Sequence, residues 1–219
     1  MTKNAMMIGL LVSAAAATAA SAATVDAVIT ADNHYALYSS AGAVFSYHGG
    51  NELGAGGSPG AYNWSEPETY TFAAGDYVYI AAWSDDAVAQ GVLANIWVDG
   101  NPLHSGDPAW QVYKTDINRG DGDPHPTSGE IAGHVGFADA NLLWETPYVG
   151  GSNGSGPWGT VPGINGDAKW MWYNTPGDPD PLEGGSGAGE MLIFRTAVPA
   201  PGAATLAGIG GLLLARRRR

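Results

Sequence analysis

Apolar and polar positions along the middle of the chain follow the two-residue period of β-strands more than the 3.6-residue period of helices. Val25 to Thr30 is rich in β-formers, and Tyr35-Ala-Leu-Tyr38 follows after Asp32-Asn33. Glu68-Thr-Tyr-Thr-Phe72 alternates. Asp76 to Trp83 places Tyr77, Tyr79, Ala81 and Trp83 on one face and Val78, Ile80 and Ala82 on the other. Both faces are apolar, which predicts a central strand covered on both sides. Val92 to Val98 is followed by Asp99-Gly100-Asn101, a hairpin signal, so Leu103 and His104 are expected to return along the strand. Later strands are expected at Leu142–Thr146, Lys169–Tyr173 and Glu190–Arg195. No stretch sustains a helical period of useful length, and Ser84 to Gln90 admits one helical turn at most. Glycine-rich segments at Gly49–Gly60, Gly150–Gly159 and Gly184–Gly189 read as long loops. Many short strands separated by Gly, Pro and Asn predict an all-β sandwich or barrel. There is no internal repeat.

The two ends break this pattern. Lys3 precedes an apolar stretch from Met6 to Ala17, and Ala20-Ser21-Ala22 has the form of a cleavage site. Residues 1–22 therefore read as a secretory signal peptide. At the other end, Val198-Pro199-Ala200-Pro201-Gly202 precedes an apolar run from Ala203 to Ala215, then Arg216, Arg217, Arg218 and Arg219. A membrane-spanning helix needs about 20 apolar residues, so this run predicts only a weak, transient membrane segment. The arginines favour the cytoplasmic side.

This three-part tail resembles the PEP-CTERM sorting signal of bacterial exported proteins. Ala200 stands where that family's name motif has Glu. The resemblance implies recognition by an exosortase-type sorting protease, cutting near Pro199 to Pro201, and a body released or anchored at the cell surface. It also implies an association with exopolysaccharide production. The chain thus divides into a signal (1–22), a β domain (23–197) and a sorting segment (198–219).

Composition narrows the partners. The β domain holds all 21 acidic residues but only Lys114, Arg119, Lys169 and Arg195, so it is more acidic than the whole-chain charge of −12. Nucleic-acid binding is excluded, because phosphate contacts need basic residues. Docking of the domain on an anionic membrane is disfavoured for the same reason. The chain has no Cys, so disulfides, thiolate metal sites and thiol nucleophiles are impossible. Gly (33) and Pro (14) are too abundant for a helical bundle.

A second resemblance covers most of the body. Ile29-Thr-Ala-Asp-Asn-His-Tyr-Ala-Leu-Tyr38 is similar to the opening of galactose-binding-like jelly-roll domains. Gly75-Asp-Tyr-Val-Tyr-Ile-Ala81, Gln90 to Ile96, Lys169-Trp-Met-Trp172 and Ile193-Phe-Arg195 continue it. Ser39-Ser-Ala-Gly42 replaces the usual Asn-Gly turn. The resemblance implies a jelly-roll-like antiparallel β-sandwich and no particular binding site.

Candidate chemistry is sparse. Of eight tryptophans, Trp83, Trp97, Trp144 and Trp170 fall in strand patterns and are expected in the core. Trp64 and Trp158, with Tyr62, fall in glycine- and proline-rich loops; they are the candidate platform on which a sugar ring could stack. The loop Asp116-Ile-Asn118-Arg-Gly-Asp121-Gly-Asp123 offers oxygens for Ca²⁺ through Asp116, Asn118, Asp121 and Asp123. It lacks EF-hand spacing and a closing Glu. Asp85-Asp86 and Asp178-Pro-Asp180 are weaker candidates. The five histidines have no metal-site spacing. Neither an α/β-hydrolase nor a Walker A nucleotide site is suggested, and no pair of carboxylates can be singled out for glycosidase chemistry. The expectation is an exported, non-enzymatic surface or matrix protein that contacts extracellular polysaccharide. A structural protein with no ligand site and a polysaccharide hydrolase or lyase are the alternatives.

Overall fold

A computed structural model of the chain describes residues 22–51, 64, 66–84, 89–120, 122–183 and 190–199. Most of the signal segment, Tyr62, Asp85-Asp86, Asp121, Pro201 and Arg216–Arg219 lie outside the described residues.

The strands are β1 (Ala23–Asp32), β2 (His34–Ala41), β3 (Val44–Gly50), β4 (Glu68–Ala74), β5 (Tyr77–Trp83), β6 (Gly91–Val98), β7 (Asn101–Pro102), β8 (Gln111–Asn118), β9 (Tyr148–Ser152), β10 (Lys169–Trp172) and β11 (Glu190–Ala197). One helix, α1 (Ser128–Asn141), interrupts them. The first sheet runs β4-β1-β6-β10-β9, with β7 on β6; the second runs β3-β2-β5-β11-β8. Every pairing is antiparallel. The two sheets form an all-β sandwich.

Alternation places the core. On β1, Val25, Ala27, Ile29 and Ala31 point inward, where they meet Leu37, Val78, Ile80, Ala82, Ile96, Leu192 and Phe194. Side chains two residues apart share a face, so the two inner faces interdigitate as one apolar layer. The expected hairpin forms, pairing Val98 with Asn101. Asp99 and Gly100 take φ of 49° and 78° in the two-residue turn, which an Asp-Gly pair tolerates.

The doubly apolar β5 lies inside the second sheet, between β2 and β11. Its outer face belongs to a second apolar layer of Ala36, Tyr38, Tyr79, Ala81, Tyr113, Met191 and Ile193, covered by Ile131, Val135 and Ala138 of α1. The helix is the main departure from the strand pattern. Its buried residues do recur at helical spacing, but Gly129, Gly133 and Gly136 dilute the stripe. The chain after it is also corrected. Leu142 is the left-handed C-cap, at φ 56°, and Glu145 forms only an isolated bridge to Val112, so the strand expected at Leu142–Thr146 is absent.

A capping box starts the helix. The Glu130 amide donates to Thr127 Oγ1 at 3.2 Å, and the Thr127 amide donates to Glu130 Oε2 at 2.6 Å. The Thr127 amide, with Arg119 adding to it, holds the Glu130 carboxyl below its usual pKa. A carboxylate with a depressed folded-state pKa contributes stability above its unfolded pKa and loses it as pH falls through the folded one. Thr127→Ala is expected to cost about 1 kcal/mol at neutral pH. Glu130→Gln should flatten the acid side of the stability profile below about pH 4.5. Denaturation at a series of pH values checks both.

Among the described residues no helix is long and apolar enough to cross a membrane.

Candidate functional site

The sandwich has two poles. β1, β5 and β8 run toward one of them, which Asp32, Trp83 and Asn118 reach; β6 and β11 start from it, at Gly91 and Glu190. β10 meets β6 near this pole, where Met171 pairs with Val92. The strand β9 pairs in turn with β10, placing Tyr148 beside Trp172.

A cleft of about 670 Å³ opens here. Tyr148, Gly150 and Gly151 of β9 line it, together with Pro157, Asp180, Leu182 and Glu183. Backbone pairing fixes its far wall: Glu183 bridges Ala89, the Gln90 amide donates to the Leu182 carbonyl at 2.9 Å, and Gln90 Nε2 donates to the Pro181 carbonyl at 2.6 Å. Described lining residues include two carboxylates and no lysine or arginine. Burial, and then the Asp180 charge, push the Tyr148 hydroxyl above its ordinary pKa. Carboxylate acceptors, a phenol and glycine-exposed backbone form a hydrogen-bonding set for neutral hydroxyl-rich ligands.

Near Leu182 of the cleft wall, but not lining the cleft, lies an indole pair. Trp158 and Trp170 stack with centroids 3.9 Å apart. A Cβ built on Gly91 would lie 2.9 Å from Trp170 and 3.4 Å from both Leu182 and Trp158, so a glycine is needed for the pair and the cleft wall to close together.

The two candidate tryptophans are brought to one strand. Thr30 Oγ1 donates to the Trp64 carbonyl at 2.8 Å, and Trp158 Nε1 donates to Asp32 Oδ2 at 2.7 Å. Thr30 and Asp32 are two apart on β1 and share its outer face. Trp64 is half-buried, but Trp158 is only 5% exposed. The expectation of an exposed Trp158 is thereby corrected: its ring face is taken by Trp170. Trp97 and Trp144, expected in the core, are half-buried instead. Trp144 lies under the Arg195 guanidinium at 3.7 Å and donates to Asp139 at 2.7 Å.

The Asp116–Asp123 loop is anchored by other contacts. Asp116 lines a separate small cavity with Lys114, Glu145 and Tyr173. Asn118 ends β8 opposite Glu190. Asp123 Oδ2 accepts the Gly120 amide at 2.7 Å. The Gly120 carbonyl accepts from Trp83 Nε1, and the Pro124 carbonyl from Arg119. Arg119 itself pairs with Glu130 at 3.1 Å. Arg119 thus stands in the loop with the Gly120 carbonyl engaged, and Asp121, the remaining expected oxygen ligand, lies outside the described residues. Among the described residues, no three His, Asp or Glu side chains converge as a metal would require.

Each histidine packs on an aromatic ring: His34 on Trp83, His48 on Phe72, His104 on Trp97, His125 on Tyr47 and Trp83, and His134 on Tyr113. Burial lowers the pKa of His48, His104, His125 and His134.

Gly150-Gly-Ser152-Asn-Gly154 has the Gly-x-Ser-x-Gly spelling of a nucleophile elbow. Ser152 ends β9 and enters a turn rather than a helix, so no elbow forms. The same spelling at residues 56–60 lies outside the described residues.

No family model, curated protein or solved structure matches this chain.

Tyr148 and Glu183 carry no sequence motif. Asp180 belongs to the weak Asp178-Pro-Asp180 pair, and the segment expected as a loop at Gly150–Gly159 instead begins with Gly150 to Ser152 in β9. Their convergence depends on the sheet order.

Proposed function

We propose that the chain is an exported, non-enzymatic surface or matrix protein that binds neutral extracellular polysaccharide in the cleft beside Tyr148. The observation that carries this reading is the cleft itself: two carboxylates, a phenol and glycine-exposed backbone, without a cation among the described lining residues. Sugar hydroxyls pair well with carboxylate acceptors, whereas uronate or sulfated chains would meet like charge. The signal-like N-terminus and the PEP-CTERM-like tail support export and surface sorting, with transient membrane insertion of the tail and an exosortase-type protease as partner. The galactose-binding-like motifs support a jelly-roll reading of the sandwich: Asp32 to Tyr38 joins β1 to β2, and Gly75 to Ala81 leads into β5.

The test is a binding panel of neutral and acidic polysaccharides, including the producer's own, with Ca²⁺ and with EDTA. Binding to a neutral glycan, unaffected by EDTA and reduced at least tenfold in Asp180→Asn/Glu183→Gln, is the expected result. Binding abolished by EDTA would redirect attention to the Asp116–Asp123 loop. Absence of binding across the panel would favour a purely structural protein, and release of reducing ends would establish a hydrolase or lyase.

A further inference from the structure

The pole opposite the cleft is where the fold begins and ends. β1 starts at Ala23, paired with Ala74 at the end of β4. β11 ends at Ala197, paired with Tyr77 at the start of β5. The two segments that read as membrane-directed, 1–22 and 198–219, therefore leave the body at one pole.

The C-terminal exit is held by Asp76. Its carbonyl accepts the Val198 amide at 2.8 Å, its own amide donates to Ser40 O at 2.9 Å, and its carboxylate accepts the Gly42 amide at 2.5 Å. Val198 is buried. The exit is thus fixed to the β2–β3 and β4–β5 turns, with no flexible linker inside the fold. Only Pro199 to Gly202 separate it from the apolar run starting at Ala203. Four residues span at most about 14 Å.

The same pole presents an exposed, uncharged hairpin tip, Ala41-Gly-Ala-Val44, with Val44 65% exposed. Acidic groups at this pole are engaged: Asp76 with Gly42, Asp99 with the Thr24 amide at 2.9 Å, and Asp139, which shares a pocket with Gly42, with Arg195 at 2.6 Å. Elsewhere the domain is strongly acidic and would be repelled by anionic lipid.

We infer that this pole is a membrane-apposed surface: while the tail is inserted, the Ala41–Val44 tip rests at the lipid headgroup boundary. The ten residues of β1 then lift the cleft about 33 Å further out, facing away from the bilayer. This rests on the membrane reading of the tail proposed above.

Because the chain has no Cys, single-cysteine labelling is clean. The full chain, as Ala43→Cys, Ala73→Cys, Asn118→Cys or Gly122→Cys, is labelled with bimane. It is then reconstituted with phosphatidylcholine vesicles containing lipids nitroxide-labelled near the headgroup. Ala43 and Ala73 lie at the exit pole, Asn118 and Gly122 at the cleft pole, and all four are exposed. The expected result is flotation with the vesicles, strong quenching at 43, weaker quenching at 73, and little at 118 and 122. Flotation with equal quenching at all four positions would overturn the orientation and leave the membrane reading intact. Failure to float would overturn both.

Discussion

Trp170→Ala is expected to lower the unfolding free energy by about 3–5 kcal/mol, the range for deleting a large buried aromatic. Trp170 is fully buried. One ring face carries Trp158 at 3.9 Å, and Gly91 of β6 closes against its edge. Removing it opens a cavity that β6 and β10 cannot collapse into, because Met171 and Val92 hold them in register. Small domains have only about 5–15 kcal/mol to lose, so the variant should denature at much lower urea. Trp170→Phe should cost far less. It retains a ring for stacking and removes Nε1, which has no hydrogen-bond partner among the described residues. Urea denaturation of the two variants decides the point: a loss below about 1.5 kcal/mol for Trp170→Ala, the scale of a surface change or small truncation, would show that the indole pair is not a support.

Ile131→Asp is the second large effect. Ile131 is fully buried in the layer between α1 and the second sheet, among residues including Tyr38, Tyr79 and Ile193. The guanidinium on that face, Arg195, is already paired with Asp139, and a buried charge without a free partner costs several kcal/mol. The helix should detach, losing amide protection along Ser128–Asn141 and exposing the tyrosine face to a hydrophobic dye. Further strain falls on the C-terminal half of α1, where Asp139 pairs with Arg195 at 2.6 Å. Phe137→Asp is the matched control. Phe137 is 56% exposed on the same helix, and its replacement should change stability by no more than about 0.5 kcal/mol. Hydrogen exchange compares them directly, and similar protection of α1 in both variants would refute the docking face assigned here.

These two predictions differ in how visible their sites are in the chain. The strand of Trp170 was legible, because Lys169-Trp-Met-Trp172 alternates and is rich in β-formers. Its stacking partner was not, because Trp158 lies in a Gly-rich loop without a period. The face of Ile131 was obscured by three helix glycines, although Thr127 and Glu130 spell a capping box. Strands β3, β8 and β9 were also missed. Exposed Val44 and Tyr47 on edge strand β3 blur the alternation, and β9 contains Gly150 and Gly151, which carry no side-chain pattern.

What the residues determined alone is what local physics controls. Alternation in β1, β4 and β6 set the sandwich, Asp99-Gly100 set the hairpin, and both apolar faces of Tyr77–Trp83 required cover on each side. The acidic body and basic ends followed from composition. Tertiary structure decided the rest: that a helix supplies the cover of β5, that Trp158 is buried while Trp64 is half-open, and that Tyr148, Asp180 and Glu183 meet. It also decided that the body's two exits share the pole away from the cleft. The physical reason is that strand order is set by long-range pairing and core packing, which bring together loops that carry no periodic signal of their own.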